Sequence, residues 1–418
     1  RQMCIRDSNS VYARNIVANT SVIGANLISN GSISAAGTVF GDKVQANTSV
    51  TTGTVTANTL VQAANIISSG SISANASVLS DTVQANTSIT TGTVTANTLV
   101  TAANIISTGA ISANGTASVN RLIANNDVQT TNVISSGAIS AAGTVFGNRV
   151  QANTSVTTGT VTANTLVQAA NIISSGSISA NASVLSDKVQ ANTSVTTGTV
   201  TANTLVTAPN IISTGAMSAA GTVTVNRLVA NNDVQATNVI SSGAMSAVGT
   251  LFGDKVQANT SITTGTVTAN TLVQAANIIS NGSISANNTV FADKVQGNTS
   301  ITTGTVTANT LVQAANIISS GSISANNTVF GDKVQANTNI TTATLTANTL
   351  VQAANIVSTG AISAAGNIIS NRLLANNDVQ APTISITGTA QVNRLQANAS
   401  VNTGTLSVAG TELSLIHI

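Results

Sequence analysis

The sequence predicts an all-β fold, a repetitive β-solenoid or β-helix rod, and three observations predict it. Hydrophobic residues make up 42% of the chain, mostly Ala, Val and Ile, while aromatics are 1% and charged residues 6%. Ordinary globular domains carry about 25% charged residues. Disordered chains are usually charged and poor in β-branched residues, whereas Val, Ile and Thr favour strands. Secondly, the apolar residues recur at steps of five or six. That is a short strand plus a corner; a helix would place them at i, i+3, i+4 and i+7. Thirdly, only Pro209 and Pro382 interrupt the run.

The two ends differ from everything between them. The chain opens Gln2-Met3-Cys4-Ile5-Arg6-Asp7 and closes Leu413-Ser414-Leu415-Ile416-His417-Ile418. The closing peptide can be encoded CTG TCT CTT ATA CAC ATC. With one more T, the reverse complement is AGATGTGTATAAGAGACAG, which reads Met-Cys-Ile-Arg-Asp in frame. Residues 1–8 and 413–418 therefore resemble translations of a transposase sequencing adapter in its two orientations. Such segments are set aside before fold reasoning. The expectation is an internal fragment of a longer protein. Cys4 and His417 are the only Cys and His, so the remainder has no disulfide, no Cys or His metal ligand and no Cys–His or Ser–His pair.

Between the ends one motif recurs, apolar-x-Ala-Asn-x-x-apolar, as in Val44-Gln45-Ala46-Asn47-Thr48-Ser49-Val50. Copies start at Val44, Val55, Ile72, Val83, Val94 and Ile111, so the array is built of 11- and 17-residue cassettes and no others. The larger, 39-residue period runs from Val44 to Val83. It shortens to a 28-residue period where one 11-residue cassette is missing, as from Ile111 to Ile139. Gain and loss by whole units is what stacked repeats with nearest-neighbour contacts permit. The array spans residues 9–380. Pro382 and the short Ala390-to-Leu395 step mark residues 381–412 as an irregular transition.

The anchors step by 6 and 5 inside the 11-residue cassette (Val44, Val50, Val55) and by 6, 5 and 6 inside the 17-residue one (Val55, Val61, Ile66, Ile72). Within a step, Val55, Ala57, Thr59 and Val61 share one face of a strand. Thr52-Gly53, Ser69-Gly70 and Ser80-Asp81 are turn formers and mark corners. Two architectures satisfy this pattern. One is a single-chain parallel solenoid with a narrow Val/Ile/Ala core and triangular or square coils. The other is an intertwined trimeric β-fibre in which three chains share that core. At about 20 residues and about 4.8 Å per coil, a 400-residue solenoid extends roughly 100 Å.

Four recurrent features are candidates for chemistry. Asn47, Asn58, Asn86, Asn97, Asn153 and Asn164 follow Ala; stacked amides can bond along a fibre, and Asn tolerates left-handed corners. The pairs Asp42-Lys43, Asp187-Lys188, Asp254-Lys255, Asp293-Lys294 and Asp332-Lys333 can alternate charge along an edge. Each Asp is lone and beside a cation, so a solvated surface is expected rather than a catalytic or metal site. Threonines alternate at Thr52, Thr54 and Thr56 and again at Thr91, Thr93 and Thr95. They suit a β-former facing water, and rows of them resemble ice-binding surfaces. Phe40, Phe146, Phe252, Phe291 and Phe330 are expected as plugs under a corner or as contacts between chains. No phosphate-binding glycine motif, paired carboxylates, nucleophile elbow or metal spacing occurs. The expected catalytic, cofactor-binding and metal residues are therefore none.

The net charge is +2, and +1 with Arg1, Arg6 and Asp7 set aside, which gives phosphate neutralisation no support. No apolar stretch reaches the roughly 18 residues of a membrane span. The strings Asn-Ile-Ile-Ser-Ser-Gly-Ser-Ile-Ser-Ala and Thr-Gly-Thr-Val-Thr-Ala-Asn resemble the repetitive shafts of bacteriophage tail fibres, and more weakly bacterial adhesin stalks. The resemblance implies a non-enzymatic fibre shaft or spacer on a virion or cell surface. It also implies a homotrimer, with a host receptor bound only through a tip absent from this chain. An ice-binding solenoid is the alternative from a different class.

Overall fold

A computed structural model describes residues 10–408 and the strand Leu413–Leu415. Cys4, His417 and the rest of residues 1–8 lie outside the described residues. The described chain contains strands and no helix, wound into about 23 parallel coils. The single-chain solenoid is the architecture formed. The chain divides into two compact units, Arg1–Pro209 and Asn210–Ile418.

The local rule is alternation. In Ser49–Ser68 the side chains of Val50, Val55, Val61 and Ile66 are fully buried, and Thr52, Ala57, Ala63 and Ser68, each two residues further on, are buried too. The residue between them points out. Each side of the coil thus offers the interior one large anchor and one small residue. Three sides close a coil, because Val55 pairs in parallel with Ile72 and only Val61 and Ile66 lie between as anchors. That pairing has the same span as the bond from Thr59 to Asp42, 17 residues, and the pairing of Val39 with Val55 has the span of the bond from Asn58 to Asp42, 16 residues. The coil is therefore three-sided and holds 16 or 17 residues, fewer than the sequence suggests. The narrow interior explains why: three anchors and the small residues beside them fill it, and large aromatics are absent from it.

The same winding builds each unit. In the first, Ile111 pairs with Val94, and Ile178 with both Val161 and Val195. In the second, Ile284 pairs with Val267 and Ile301, and Leu345 with Val329 and Ile362. Sides of five and six residues have corners of two and three residues. Where a longer corner stacks on a shorter one the register shifts, as between Ala35 and Thr38. Over residues 381–408 the strand Asn367–Val408 continues. Thr387 still bonds Asn371 across 16 residues, so the spacing persists past Pro382.

Corners are built without left-handed backbone: among the described residues none, glycine included, has a positive φ. The corner Asn and Gly are needed for other reasons. At Gly176 a Cβ would sit 2.7 Å from the carbonyl oxygen of Gly159 one coil earlier, while its own N–H donates to that oxygen at 2.6 Å. Close approach, not backbone freedom, selects glycine there.

Buried hydroxyls finish the corners. Ser174 is 1% exposed. Its Oγ lies 2.7 Å from Gly159 O and 3.2 Å from Ser177 O, to which it donates, and it accepts from Gly176 N at 3.2 Å. Thr158 donates to Gly143 O at 2.8 Å and Thr160 O at 3.0 Å. These hydroxyls add an inward bond at the corner, where Gly159 O and Ser177 O also accept the N–H of Gly176 and Val161. Thr52 and Thr91 belong to this set, so they point inward rather than to water. Thr130 is the contrast. It sits where Ala63 and Ala236 stand in equivalent sides, and its buried Oγ1 has no partner.

A pair of substitutions tests this account. Ser174→Ala removes a buried hydroxyl bonded to two carbonyls and an amide and is expected to cost about 0.5–1.5 kcal/mol, whereas Thr130→Ala removes an unpaired hydroxyl and is expected to be neutral or stabilising. Urea melts of the two variants check both signs; an unchanged midpoint for Ser174→Ala would refute the corner role.

Candidate functional site

The outward positions are what the coils can offer a partner. They fall into rows, because a residue outside one coil lies over its register partner in the next. The six sequence-highlighted Asn residues divide in two. Asn58 and Asn97 donate to the carboxylates of Asp42 and Asp81 one coil earlier, and Asn164 donates to Asn148 Oδ1 at 2.6 Å. Asn203 likewise reaches Asp187 at 2.5 Å. The ladder is therefore mostly Asn on Asp, not Asn on Asn. Asn47, Asn86 and Asn153 instead use their backbone N–H, which donates to Ser29 O, Ser68 O and Ser135 O at 3.1 Å each.

The Asp-Lys pairs do not alternate charge along an edge. Lys188 lies opposite Asn171 and Leu205, and Lys294 opposite Asn277 and Leu311. Each Asp instead faces the Asn of the next coil. Among the described residues the one ion pair is Arg394 with Asp378 at 3.8 Å, both half exposed. A pair so exposed contributes about 0–1 kcal/mol.

The Phe residues are not plugs under corners. Phe146, Phe252 and Phe330 stand outward in mid-side, 37–38% exposed, each directly after a buried anchor. Leu79, Leu185 and Ile369 occupy the same place in other repeats and are 39–40% exposed. Of the two expectations for these residues the corner plug is excluded, and the signal against it is in the sequence: Val145 and Phe146 are adjacent, so only one can face in.

Among the described residues no group of three or more His, Cys, Asp or Glu side chains converges. The carboxylates are held apart at separate corners by the winding itself. Two open grooves of about 490 Å³ each run along the first unit. One is lined by residues such as Asn86, Ser118 and Asn153, the other by Asn125, Ser140 and Asn192, and neither has an ionisable lining residue. Amides and hydroxyls there can form hydrogen bonds but bring no charge to bear. Among the described residues no helix is long and apolar enough to cross a membrane. No family model, curated protein or solved structure matches the chain.

Proposed function

We propose that this chain is a structural shaft, a spacer segment of an extracellular fibre that sets the distance between what lies at its two ends. The observation that carries the reading is the coil-to-coil register. Within each unit almost every side pairs in parallel with its counterpart one coil on, so one narrow core and one ladder run through the unit. A unit of roughly a dozen coils at about 4.8 Å each extends roughly 55 Å. Such units gain length without changing in section, which is what a spacer requires. A phage tail-fibre shaft, receptor binding lying in another segment, is the setting the repeat strings favour. A bacterial adhesin stalk would use the same mechanics.

The test is length. The 39-residue repeat comprises seven sides, or two and one-third coils. Deleting one repeat from a unit should shorten the particle by roughly 11 Å, and adding three should lengthen it by roughly 34 Å. Electron micrographs of the series would show a linear relation. Particles whose long dimension ignores repeat number would overturn the spacer reading.

A further inference from the structure

The sequence repeat and the coil are out of step, and that mismatch has a physical effect. A coil has three sides, whereas the 39-residue repeat has seven and the 28-residue repeat five. Neither number is a multiple of three. Any residue peculiar to a repeat therefore reappears in the next repeat on a different side, and more than one coil away.

The register displays this directly. Leu79 lies between Gln62 one coil before and Thr95 one coil after. Phe146 lies between Gln129 and Thr162, and Leu185 between Gln168 and Thr201. In the second unit Phe252 lies between Gln235 and Thr268, Phe291 between Gln274 and Thr307, and Phe330 between Gln313 and Thr346. The neighbours are the same pair in all six cases. The charged corners follow suit, with Asp187 under Asn203 and Asp332 under Asn348. A repeat of three sides would stack Phe on Phe and Asp on Asp in adjoining coils, and one of six or nine sides would return them to a single side at every second or third coil. Stacked like residues are how flat β-structures zip to one another, and contiguous exposed apolar patches mark association sites.

We infer that the phase offset between repeat and coil keeps the sides of this solenoid non-adhesive. It sets these six bulky outward side chains between polar residues, leaves only short apolar pairs such as Ile23 with Phe40 and Ile106 with Ile123, and denies a second copy any long apolar row. The inference concerns lateral contact only and stands whether or not the chain is a spacer.

The experiment aligns what the offset separates. Q274F/T307F places three Phe in one row with Phe291. S285F/S324F adds the same two Phe on outward positions whose register partners are all Thr, namely Thr268, Thr302, Thr307 and Thr341. Both variants gain two outward Phe in place of polar residues, and the alignment is what separates them. Sedimentation velocity of the full chain is expected to show Q274F/T307F as dimers or larger, at concentrations where S285F/S324F still sediments as the parent does. Circular dichroism confirms the fold of each. Should the aligned Phe pair not fold, Q274L/T307L repeats the test with a side chain already carried outward at Leu79 and Leu185. Equal sedimentation of aligned and scattered variants would overturn the inference, as would a parent chain already associated side by side.

Discussion

Replacing Ile178 with Asp should collapse the coils around it while leaving distant coils folded. Ile178 is fully buried, and its strand pairs with Val161 on one side and Val195 on the other. The interior there is Val, Ile and Ala with the corner hydroxyls of Ser174 and Ser186, and no basic side chain is buried in it. Removing the side chain alone, as Ala, would cost about 2–5 kcal/mol, and the conservative Ile178→Val about 0.5–1.5 kcal/mol. An unpartnered carboxyl adds the cost of burying a polar group, several kcal/mol more even if it stays protonated. That exceeds what a few neighbouring coils can hold. Because stability in stacked repeats is a sum of local and nearest-neighbour terms, the loss should spread over adjacent coils and then stop. Limited proteolysis should cut near residue 178 in the Asp variant and spare Ile178→Val. A protease pattern identical to the parent's would count against a single-chain core at this position.

The second large effect sets a one-residue deletion against a whole-coil deletion. Deleting Thr162 alone should disrupt the fold more than deleting residues 161–177. In a strand successive side chains face opposite ways, so removing one residue turns the rest of that side over. Val161 could still face in, but Ala163 would then face out and the next corner would lose a residue. Removing residues 161–177 takes out three whole sides. It joins Thr160 to Ile178, which itself sits on the side that Val161 occupied. Every anchor beyond the join keeps its direction. Thermal melts followed by circular dichroism should show a lowered or split transition for the single deletion, and one near the parent's for the whole-coil deletion. The reverse order would refute the three-sided coil.

These deletions explain the repeat grammar. The 11-residue cassette is two sides and the 17-residue cassette is three. Insertions by whole sides preserve inward and outward directions, which is why lengths between them do not occur. Cassette gain and loss alters which side a given Phe or Asp decorates, not whether the coil closes.

Much of this was legible in the residues. Anchors such as Val44, Val50 and Val55 revealed the side, because alternation and corner chemistry are local and act over five or six positions. Strand character followed from Val, Ile and Thr for the same reason. The roles of individual polar residues were less legible. Thr52 read as a water-facing β-former, yet it is the inward residue of a short corner and bonds two carbonyls. Asn58 read as part of an amide stack, yet its partner is Asp42. Both depend on what lies one coil away in space, and the longer period of the sequence repeat masks that distance.

The sequence by itself determined the class, the side and the quantum of insertion, since each rests on backbone alternation and near-neighbour sterics. Only the tertiary structure decided that three sides make a coil. Closure depends on how far each corner bends and how wide a core the anchors fill, and neither is a property of any one segment. From closure follow the length of the coil, the partner of every outward residue, and the offset that turns each repeat onto a new side.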